Sequence, residues 1–351
     1  MNARALAISP MPAVSCALTA HFAPSTLDAF LDLPDPPVAR ELLDRVLRAP
    51  LQEFLSREGK ELRARLVVRA WEIAQQASGA TSLQALPSDL TVAIELLHAG
   101  SLIVDDVEDE AETRRGGPAF HRTHGVASAI NAGNWLYFHA LELLSRLSLP
   151  APTLVAMQRK VAATLLRCHH GQALDVSVRV AELPQPQVAS AVRSATELKT
   201  GSLLELSCAV GAIAAGAEPH VERALSSFGR SLGVALQMLD DLCSITSPRR
   251  RDKGLEDLHF GRLTWPWAWL SQDLDAIAYG PLQLLGRSVV SGAVPADVLL
   301  EQMRGMLGVH GRGRARARLD GAIDVLTEQI GGSPSLDALT SELGRWEASH
   351  G

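Results

Sequence analysis

Apolar residues recur every three or four positions along most of this chain, which is the spacing expected for helices with one buried face. Ala and Leu, two strong helix formers, occupy many of these positions. Clusters of Gly and Pro separate the periodic segments, and the alternating pattern typical of strands is scarce. The pattern predicts helices over residues 40–57, 60–78, 86–110, 128–147, 152–175, 186–200, 202–216, 220–244, 264–275, 296–307 and 312–331.

The predicted helices follow one another without an evident linker between two cores and without a repeat of fixed period. We therefore predict a single large all-α bundle over residues 26–351. Residues 1–25 are rich in Ala, Ser and Pro, and we expect them to form a flexible N-terminal tail. Pro10 and Pro12 interrupt the stretch that a signal peptide would need, and no run of about 18 apolar residues predicts a transmembrane segment.

Composition narrows the class of protein. The chain has 351 residues, 47% of them hydrophobic, and a net charge of -6. It has no basic stripe, which argues against nucleic acid as a partner. The four cysteines show no CxxC spacing, so we expect reduced thiols and a cytoplasmic protein.

An acidic cluster follows the apolar run over residues 93–104. It contains Asp105, Asp106 and Asp109. At about 100° per helical residue, these three carboxylates share one third of the helix circumference and can converge on one ion. Oxygen-rich sites of this kind suit Mg²⁺, which also takes waters and substrate phosphates. Taken alone, the run is equally compatible with a solvated acidic helix end.

Basic residues and a second acidic pair strengthen the metal interpretation. Arg114 and Arg115 follow the cluster, and Arg binds phosphate oxygens through two parallel hydrogen bonds. Far along the chain, Gln237, Asp240, Asp241 and Ser244 share one helical face. Two acidic helices that face one another across a bundle would hold several metal ions with a polyphosphate between them.

These motifs resemble those of the trans-isoprenyl diphosphate synthases, the polyprenyl synthetase family, in particular its farnesyl and geranylgeranyl diphosphate synthases. The first Asp-rich motif matches Asp105, Asp106 and Asp109, and the second matches Gln237, Asp240 and Asp241. Further landmarks of the family appear in order over roughly residues 40–330: Lys60, Arg63, His98, Lys199, Thr200, Lys253, Asp257, Gly261, Arg262, Thr264 and Pro266.

The resemblance implies an isoprenoid synthase bundle with a central cavity and a transferase of prenyl groups. Such an enzyme condenses isopentenyl diphosphate with an allylic diphosphate, and the departing diphosphate takes up the proton. About three Mg²⁺ ions per site would stabilise that leaving group. The resemblance assigns these ions to Asp105, Asp106, Asp109, Asp240 and Asp241.

The same resemblance assigns the substrates. Arg114, Lys199 and Lys253 would hold the allylic diphosphate, with Arg262 also on the substrate side. Lys60, Arg63, His98 and Arg115 would hold isopentenyl diphosphate. Thr200 and Gln237 would line the path of the allylic cation. The residues expected to carry the chemistry are Asp105, Asp106, Asp109, Arg114, Lys199 and Asp240.

Some of these assignments have a structural alternative. His98 on an apolar helix is compatible with a hydrogen-bonded core histidine, and Arg262 with a structural Arg. Lys60 and Arg63 are compatible with surface charges. Gln172 and Asp175 match a Gly-Gln-x-x-Asp helix of the family and are predicted to line the cavity.

Two residues depart from the family pattern. Ser244 stands where a third Asp is usual, and Glu61 replaces an Arg near the expected isopentenyl diphosphate site. They leave three functions open: a chain-elongating prenyltransferase, a class I terpene cyclase or unusual coupling enzyme, and a non-catalytic partner subunit. The intact first motif with Arg114 and Arg115 argues against the last.

Two further expectations concern assembly and product. The resemblance implies a homodimer that pairs through the helix after the first motif. Residues 128–147 are apolar around much of this helix, as such pairing requires, although a core helix in a monomer has the same pattern. In the family that these motifs resemble, side chains below the first Asp-rich motif set the product length. Gly100 and Ser101, one turn before Asp105, are small, so a growing chain should pass them. We expect it to stop at Trp135, Phe138 or Leu97, giving a product of about twenty carbons or somewhat longer.

Overall fold

The computed structural model describes residues 18, 21–22, 37–59, 61–80, 83–307 and 310–349. Lys60 and most of the predicted N-terminal tail lie outside the described residues. The described part is almost entirely helical, so the prediction of an all-α fold is confirmed. None of its helices is long and apolar enough to cross a membrane.

The described residues form α-helices along most of the chain. They are α1 (Pro37–Leu43), α2 (Ala49–Ser56), α3 (Leu62–Ala77), α4 (Ser88–Glu108), α5 (Phe120–His124), α6 (Val126–Ser145), α7 (Ala151–Ser177), α8 (Gln185–Thr196), α9 (Ser202–Ala214), α10 (Pro219–Thr246), α11 (Arg251–His259), α12 (Trp265–Asp273), α13 (Ala276–Val290), α14 (Ala296–Leu307), α15 (His310–Ile330) and α16 (Pro334–Ser349). Two short strands, β1 (Thr113–Arg114) and β2 (Gly117–Pro118), pair antiparallel between α4 and α5.

Two π-helical turns join consecutive helices. Asp44–Arg48 connects α1 to α2, and Glu197–Gly201 connects α8 to α9. A π turn widens the helix by one residue and is often found at functional sites. The second turn carries Lys199 and Thr200, so the two residues project from a locally widened backbone.

The centre of the bundle is α9, in which every residue except Ile213 is buried. It packs against α3, α7 and α10, while α4 packs mainly against α6. Most predicted helices have bounds within two residues of those observed, but α5, α11, α13 and α16 were not predicted. Helix α13 contains Gly280 and Pro281, two residues of low helix propensity, and its residues Tyr279 and Leu282 are buried in the core.

Close backbone contacts explain two of the glycines. A Cβ at Gly100 would lie 2.8 Å from the Gly133 carbonyl oxygen, so this residue allows α4 and α6 to approach. Gly100 therefore serves helix packing, and the expectation that a growing chain passes this helix turn stays a prediction. A Cβ at Gly254 would lie 2.1 Å from the Ser244 carbonyl oxygen, so α11 packs directly on the end of α10.

Candidate active site

The first acidic motif occupies the C-terminal turn of α4, and its three carboxylates contact three different cations. Asp105 accepts hydrogen bonds from Lys199 Nζ at 2.9 Å and from Gln172 Nε2 at 2.9 Å. Asp106 is fully buried and accepts one from Arg114 Nε at 2.7 Å. Asp109 is paired with Arg262. The carboxylates therefore diverge at this level, and only Asp105 and Asp109 line the adjoining cavity.

That cavity is polar and measures about 280 Å³. Carboxylates and cations alternate around it: Asp105, Asp109, Asp175, Asp240, Asp241 and Asp257, with Arg114, Lys199, Lys253 and Arg262. Among the described residues, no three carboxylate, imidazole or thiol groups are close enough to enclose a metal ion by themselves. An ion here needs diphosphate oxygens and waters as further ligands, which is the usual coordination of Mg²⁺. The oxygen-only donor set fits Mg²⁺.

The pKa shifts show how closely the charges are packed. Burial and the charge of Asp105 raise the pKa of Asp109 to about 6. Burial also raises the pKa of Asp257 to about 6, against the charge of Lys253. Burial opposes protonation of Lys199, but the charges of Asp105 and Asp175 outweigh it and raise the Lys199 pKa. The cavity thus concentrates negative charge that a divalent cation would relieve.

The second acidic motif, on α10, presents a different arrangement. Asp240 borders the cavity and is paired with Arg250. Asp241 is buried and accepts hydrogen bonds from the Trp265 backbone N–H at 2.9 Å and from Gln237 Nε2 at 2.7 Å. Burial raises the pKa of Asp241 well above its usual range. Asp241 therefore fixes the Gln237 amide and the start of α12.

Ser244, where the family has a third Asp, is only 4% exposed, and its hydroxyl donates to the Asp241 carbonyl oxygen at 2.8 Å. The residue lies under α11 next to Gly254 and does not line the polar cavity.

Two more cavities adjoin the polar one. The first is apolar, measures about 220 Å³ and extends between α4, α6 and α7. The second measures about 130 Å³ and lies between α3, α9, α10 and α16. All three cavities are lined by Thr200 and Gln237. Thr200 Oγ1 donates to Gln237 Oε1 at 2.9 Å, so this hydrogen-bonded pair marks the junction.

Arg114 and Arg115 lie on the β-hairpin after α4, where Arg115 has a left-handed backbone with φ 50°. Arg57 secures the hairpin by donating to the carbonyl oxygens of Arg114 at 3.1 Å and Pro118 at 2.8 Å. The Arg115 guanidinium is 5.9 Å from the centre of the Phe54 ring. The paired Arg residues therefore separate, with Arg114 at the polar cavity and Arg115 towards α2.

A second basic group surrounds the start of α3. Burial, together with the nearby Arg115 charge, lowers the pKa of Arg63 to about 10, although Glu95 opposes the shift. Glu95 is 6% exposed and accepts the Ala64 backbone N–H at 3.1 Å. Burial lowers the pKa of His98 well below its usual value, and the Arg charges lower it further, so His98 is neutral at pH 7.

Two further residues of the family motifs, Lys253 and Arg262, follow the second acidic motif in the chain and line the polar cavity. Lys253 on α11 lies 2.9 Å from Glu256 Oε1 and 3.1 Å from Asp257 Oδ1. Arg262, 7% exposed, donates to the Asp175 carbonyl oxygen at 2.8 Å besides pairing with Asp109. Arg262 thus combines a structural contact with a position at the cavity.

Sequence reasoning missed several residues of this site. It assigned no role to Glu95, although a carboxylate within the apolar helix before the first motif is an unusual position that could have indicated one. It gave no role to Asp257 or Arg250. Asp175, predicted to line the cavity, does so and accepts a hydrogen bond from Lys199 at 2.8 Å.

The lining of the apolar cavity differs from the predicted floor, which is the set of side chains expected to block the growing chain. Tyr137 lines it, whereas Trp135 and Phe138 do not. Phe138 is 70% exposed, and Trp135 stacks on His139 with ring centres 4.6 Å apart. Each step along α6 rotates the side chain by about 100°, so residue 137 faces α4 and α7 and its neighbours do not. The remaining predictions, Ser101 and Leu97, both line the cavity.

Comparisons with known proteins agree with the motifs. The polyprenyl synthetase family model matches residues 44–276. The geranylgeranyl diphosphate synthase of Methanosarcina mazei is 34% identical over 190 residues, covering 54% of this chain and 56% of that protein. Geranylgeranyl pyrophosphate synthase 2 of Zymoseptoria tritici is 32% identical over 234 residues, 64% of each chain. The chain thus matches less than two thirds of the length of these relatives.

A solved structure shows the same fold. The polyprenyl synthase from Caulobacter crescentus, complexed with calcium and isoprenyl diphosphate, superposes with a TM-score of 0.65 at 19% identity. The superposition covers 93% of this chain and 95% of that one.

Proposed function

Because the chain belongs to the polyprenyl synthetase family, we propose that it is a Mg²⁺-dependent prenyltransferase. The reaction joins isopentenyl diphosphate to an allylic diphosphate and gives a longer prenyl diphosphate. The observation that carries the proposal is the junction at Thr200 and Gln237, where a charged cavity, an apolar cavity and a mixed cavity meet. An elongation needs these three environments at one point: for the leaving diphosphate, the growing chain and the second substrate.

The polar cavity would hold the allylic diphosphate together with Mg²⁺. Asp105, Asp109 and Asp240 line it and are the carboxylates best placed to reach metal ions, directly or through water. When bound, Mg²⁺ neutralises charge that develops on the departing diphosphate. Asp106 and Asp241 are buried, and we assign them to holding Arg114 and Gln237 in place.

The cations of the protein act on the same leaving group. Arg114, Lys199, Lys253 and Arg262 face the polar cavity, where their charges would attract the diphosphate oxygens. The allylic carbon–oxygen bond breaks, and the electron pair leaves with the diphosphate. The resulting cation is attacked by the double bond of isopentenyl diphosphate, and the product loses a proton to the diphosphate.

Thr200 and Gln237 would stabilise the cation between these steps. The Thr200 hydroxyl hydrogen is used in the bond to Gln237, which leaves the oxygen lone pairs of Thr200 available to the cavity. The Gln237 amide is held in turn by Asp241, so both dipoles keep one orientation. A fixed arrangement of dipoles stabilises developing charge without a reorganisation cost.

Isopentenyl diphosphate would bind on the side of Arg63, His98 and Arg115. Neutral His98 can donate one hydrogen bond without adding a third charge. Lys60, the fourth residue assigned to this substrate, lies outside the described residues.

The apolar cavity would take up the growing chain. It begins beside Asp105 and passes Ser101 and Leu97 towards Tyr137 on α6. Tyr137 is the largest side chain in its lining, so we propose it as the main floor. A product of about twenty carbons remains our proposal, in agreement with the names of the two relatives above.

We also propose that the protein is a cytoplasmic homodimer. Helices α6 and α7 expose a group of large apolar side chains: Val126, Ile130, Phe138, Val155 and Leu166. A second copy that covers these side chains would remove them from water. Among the described residues, Cys168 and Cys208 are free thiols, which is compatible with a reducing compartment.

The test is an assay of purified protein with Mg²⁺ and dimethylallyl, geranyl or farnesyl diphosphate, with and without isopentenyl diphosphate. Mass spectrometry of the products should show a longer prenyl diphosphate only when both substrates are present. A product formed from the allylic substrate alone would indicate cyclisation, and no product with any starter would contradict the proposal.

A further inference from the structure

The smallest of the three cavities has one wall made by the C-terminal helix α16. Its apolar lining consists of Leu62, Leu204, Leu236 and Trp346, and its charged lining of Arg63 and Asp240. Trp346 is the largest of these side chains and the only one contributed by α16 among the described residues. The cavity therefore offers an apolar surface for a short isoprenoid tail and a cation, Arg63, for its diphosphate.

Helix α16 is fixed to α3 by buried polar contacts. Arg69, 6% exposed, donates to Glu342 Oε1 at 2.5 Å and to Glu72 Oε2 at 2.7 Å. Gln76 Nε2 donates to Ser335 Oγ at 3.0 Å near the start of α16. Since a buried ion pair of this geometry is costly to break, α16 has a defined position on α3.

The position of Trp346 follows from this attachment. Trp346 comes four residues after Glu342, so the two side chains project from the same face of α16 one turn apart. The anchor to α3 therefore also sets where the indole stands relative to Arg63, which lies on the first turn of the same helix α3. The positions of Arg63 and Trp346 on two walls of the cavity are thus both set by α3.

We propose that Trp346 is a specificity-determining residue for the second substrate, and that its indole packs on the five-carbon tail of isopentenyl diphosphate while Arg63 binds the diphosphate. This inference rests on the proposed elongation activity and assigns a role to the C-terminal helix that the acidic motifs do not. The tail would then reach the junction at Thr200 and Gln237 from the smallest cavity. Trp346 also packs on apolar residues of α3, α9 and α10, so a purely structural role must be separated by experiment.

The experiment compares Trp346→Ala and Trp346→Phe with Ser341→Ala, an exposed control on the same helix. We expect Trp346→Ala to raise the KM for isopentenyl diphosphate about tenfold, as truncation of an aromatic contact residue does, while the KM for the allylic substrate changes less than about twofold. Trp346→Phe should recover most of the affinity, and Ser341→Ala should match wild type. Calorimetric titration with isopentenyl diphosphate alone should show the same order of affinities.

A structural role would change both KM values and kcat together with the melting temperature, and that result would overturn the inference. Unchanged affinity in Trp346→Ala would overturn it as well. If Trp346→Ala does not fold, Trp346→Leu decides, because loss of the aromatic wall predicts a raised KM for isopentenyl diphosphate alone, and an unchanged KM would overturn the inference. If wild type binds isopentenyl diphosphate but forms no elongated product, the proposed function fails, and the titration still decides the role of Trp346.

Discussion

Lys199 Nζ donates to Asp105 Oδ1 at 2.9 Å, which joins the π turn between α8 and α9 to the first acidic motif. The same ammonium donates to Asp175 Oδ2 at 2.8 Å. One cation therefore holds carboxylates from α4 and α7 at the rim of the polar cavity. A π turn is well suited to this task, because it displaces its side chains from the regular helical path.

Removal of the Asp105 carboxylate should abolish turnover. Asp105→Ala loses a carboxylate that faces the polar cavity and the partner of Lys199, so we expect a loss on the order of a thousandfold or more in kcat/KM. The helical circular dichroism should stay as in wild type. Glu110→Gln, an exposed carboxyl just past the motif, is the control and should keep full activity. Near-normal turnover in Asp105→Ala would show that this motif does not bind the metal.

Metal affinity should weaken as pH falls through about 6, the raised pKa of Asp109 and Asp257. Both carboxyls bind protons below this value, so the cavity loses negative charge just where Mg²⁺ must compete with protons. Titration of the protein with Mg²⁺ and inorganic pyrophosphate should show an Mg²⁺ affinity that falls by about tenfold per pH unit below about pH 6. The reason is that binding of one Mg²⁺ ion must then displace at least one proton from these carboxyls. Equal affinity at about pH 5 and about pH 7 would refute the ionic account of the cavity.

Replacement of Tyr137 should lengthen the product. Tyr137→Ala removes the largest side chain in the lining of the apolar cavity, so the chain should grow by at least one five-carbon unit before it meets a block. Phe138→Ala is the matched control, because the neighbouring ring is 70% exposed and outside the cavity. Ser101→Phe should act in the opposite direction and shorten the product. Mass spectrometry that shows the wild-type product distribution in Tyr137→Ala would place the floor elsewhere.

A charge on the exposed face of α6 should separate the proposed dimer. Phe138→Asp would have to bury a carboxylate in the interface, so light scattering at micromolar concentration should change from dimer to monomer. Ile277→Asp, on α13 and 87% exposed, introduces the same charge away from α6 and should remain dimeric. A wild-type protein that is monomeric, or a Phe138→Asp variant that stays dimeric, would exclude this interface.

The sequence was sufficient to predict the helices with strong periodicity and the family. The reason is that the spacing of an Asp-rich motif on a helix determines which side chains share a face. It did not show that Asp106 is turned away from the polar cavity onto Arg114, or that Asp241 holds the Gln237 amide, since periodicity assigns a face and not the partner that covers it. Tyr137 lines the cavity and Phe138 does not, because neighbouring side chains on a helix are separated by a rotation of about 100°. That rotation is fixed by the Gly100 and Gly133 contact between α4 and α6.

Long-range contacts account for the rest. Glu95 approaches Ala64 across 31 residues, and Glu342 reaches Arg69 across 273. No local pattern connects such positions, because each helix would form with the same periodicity if the other were absent. The role of α16 at the smallest cavity could therefore be found only in the folded chain.

The most direct test of the central claim is product analysis of the purified wild-type protein supplied with Mg²⁺, isopentenyl diphosphate and an allylic diphosphate starter. We predict a prenyl diphosphate of about twenty carbons that requires both substrates and is lost when the metal is chelated. Release of diphosphate with a cyclised or unextended hydrocarbon in the absence of isopentenyl diphosphate, or no reaction with any starter, would contradict the account.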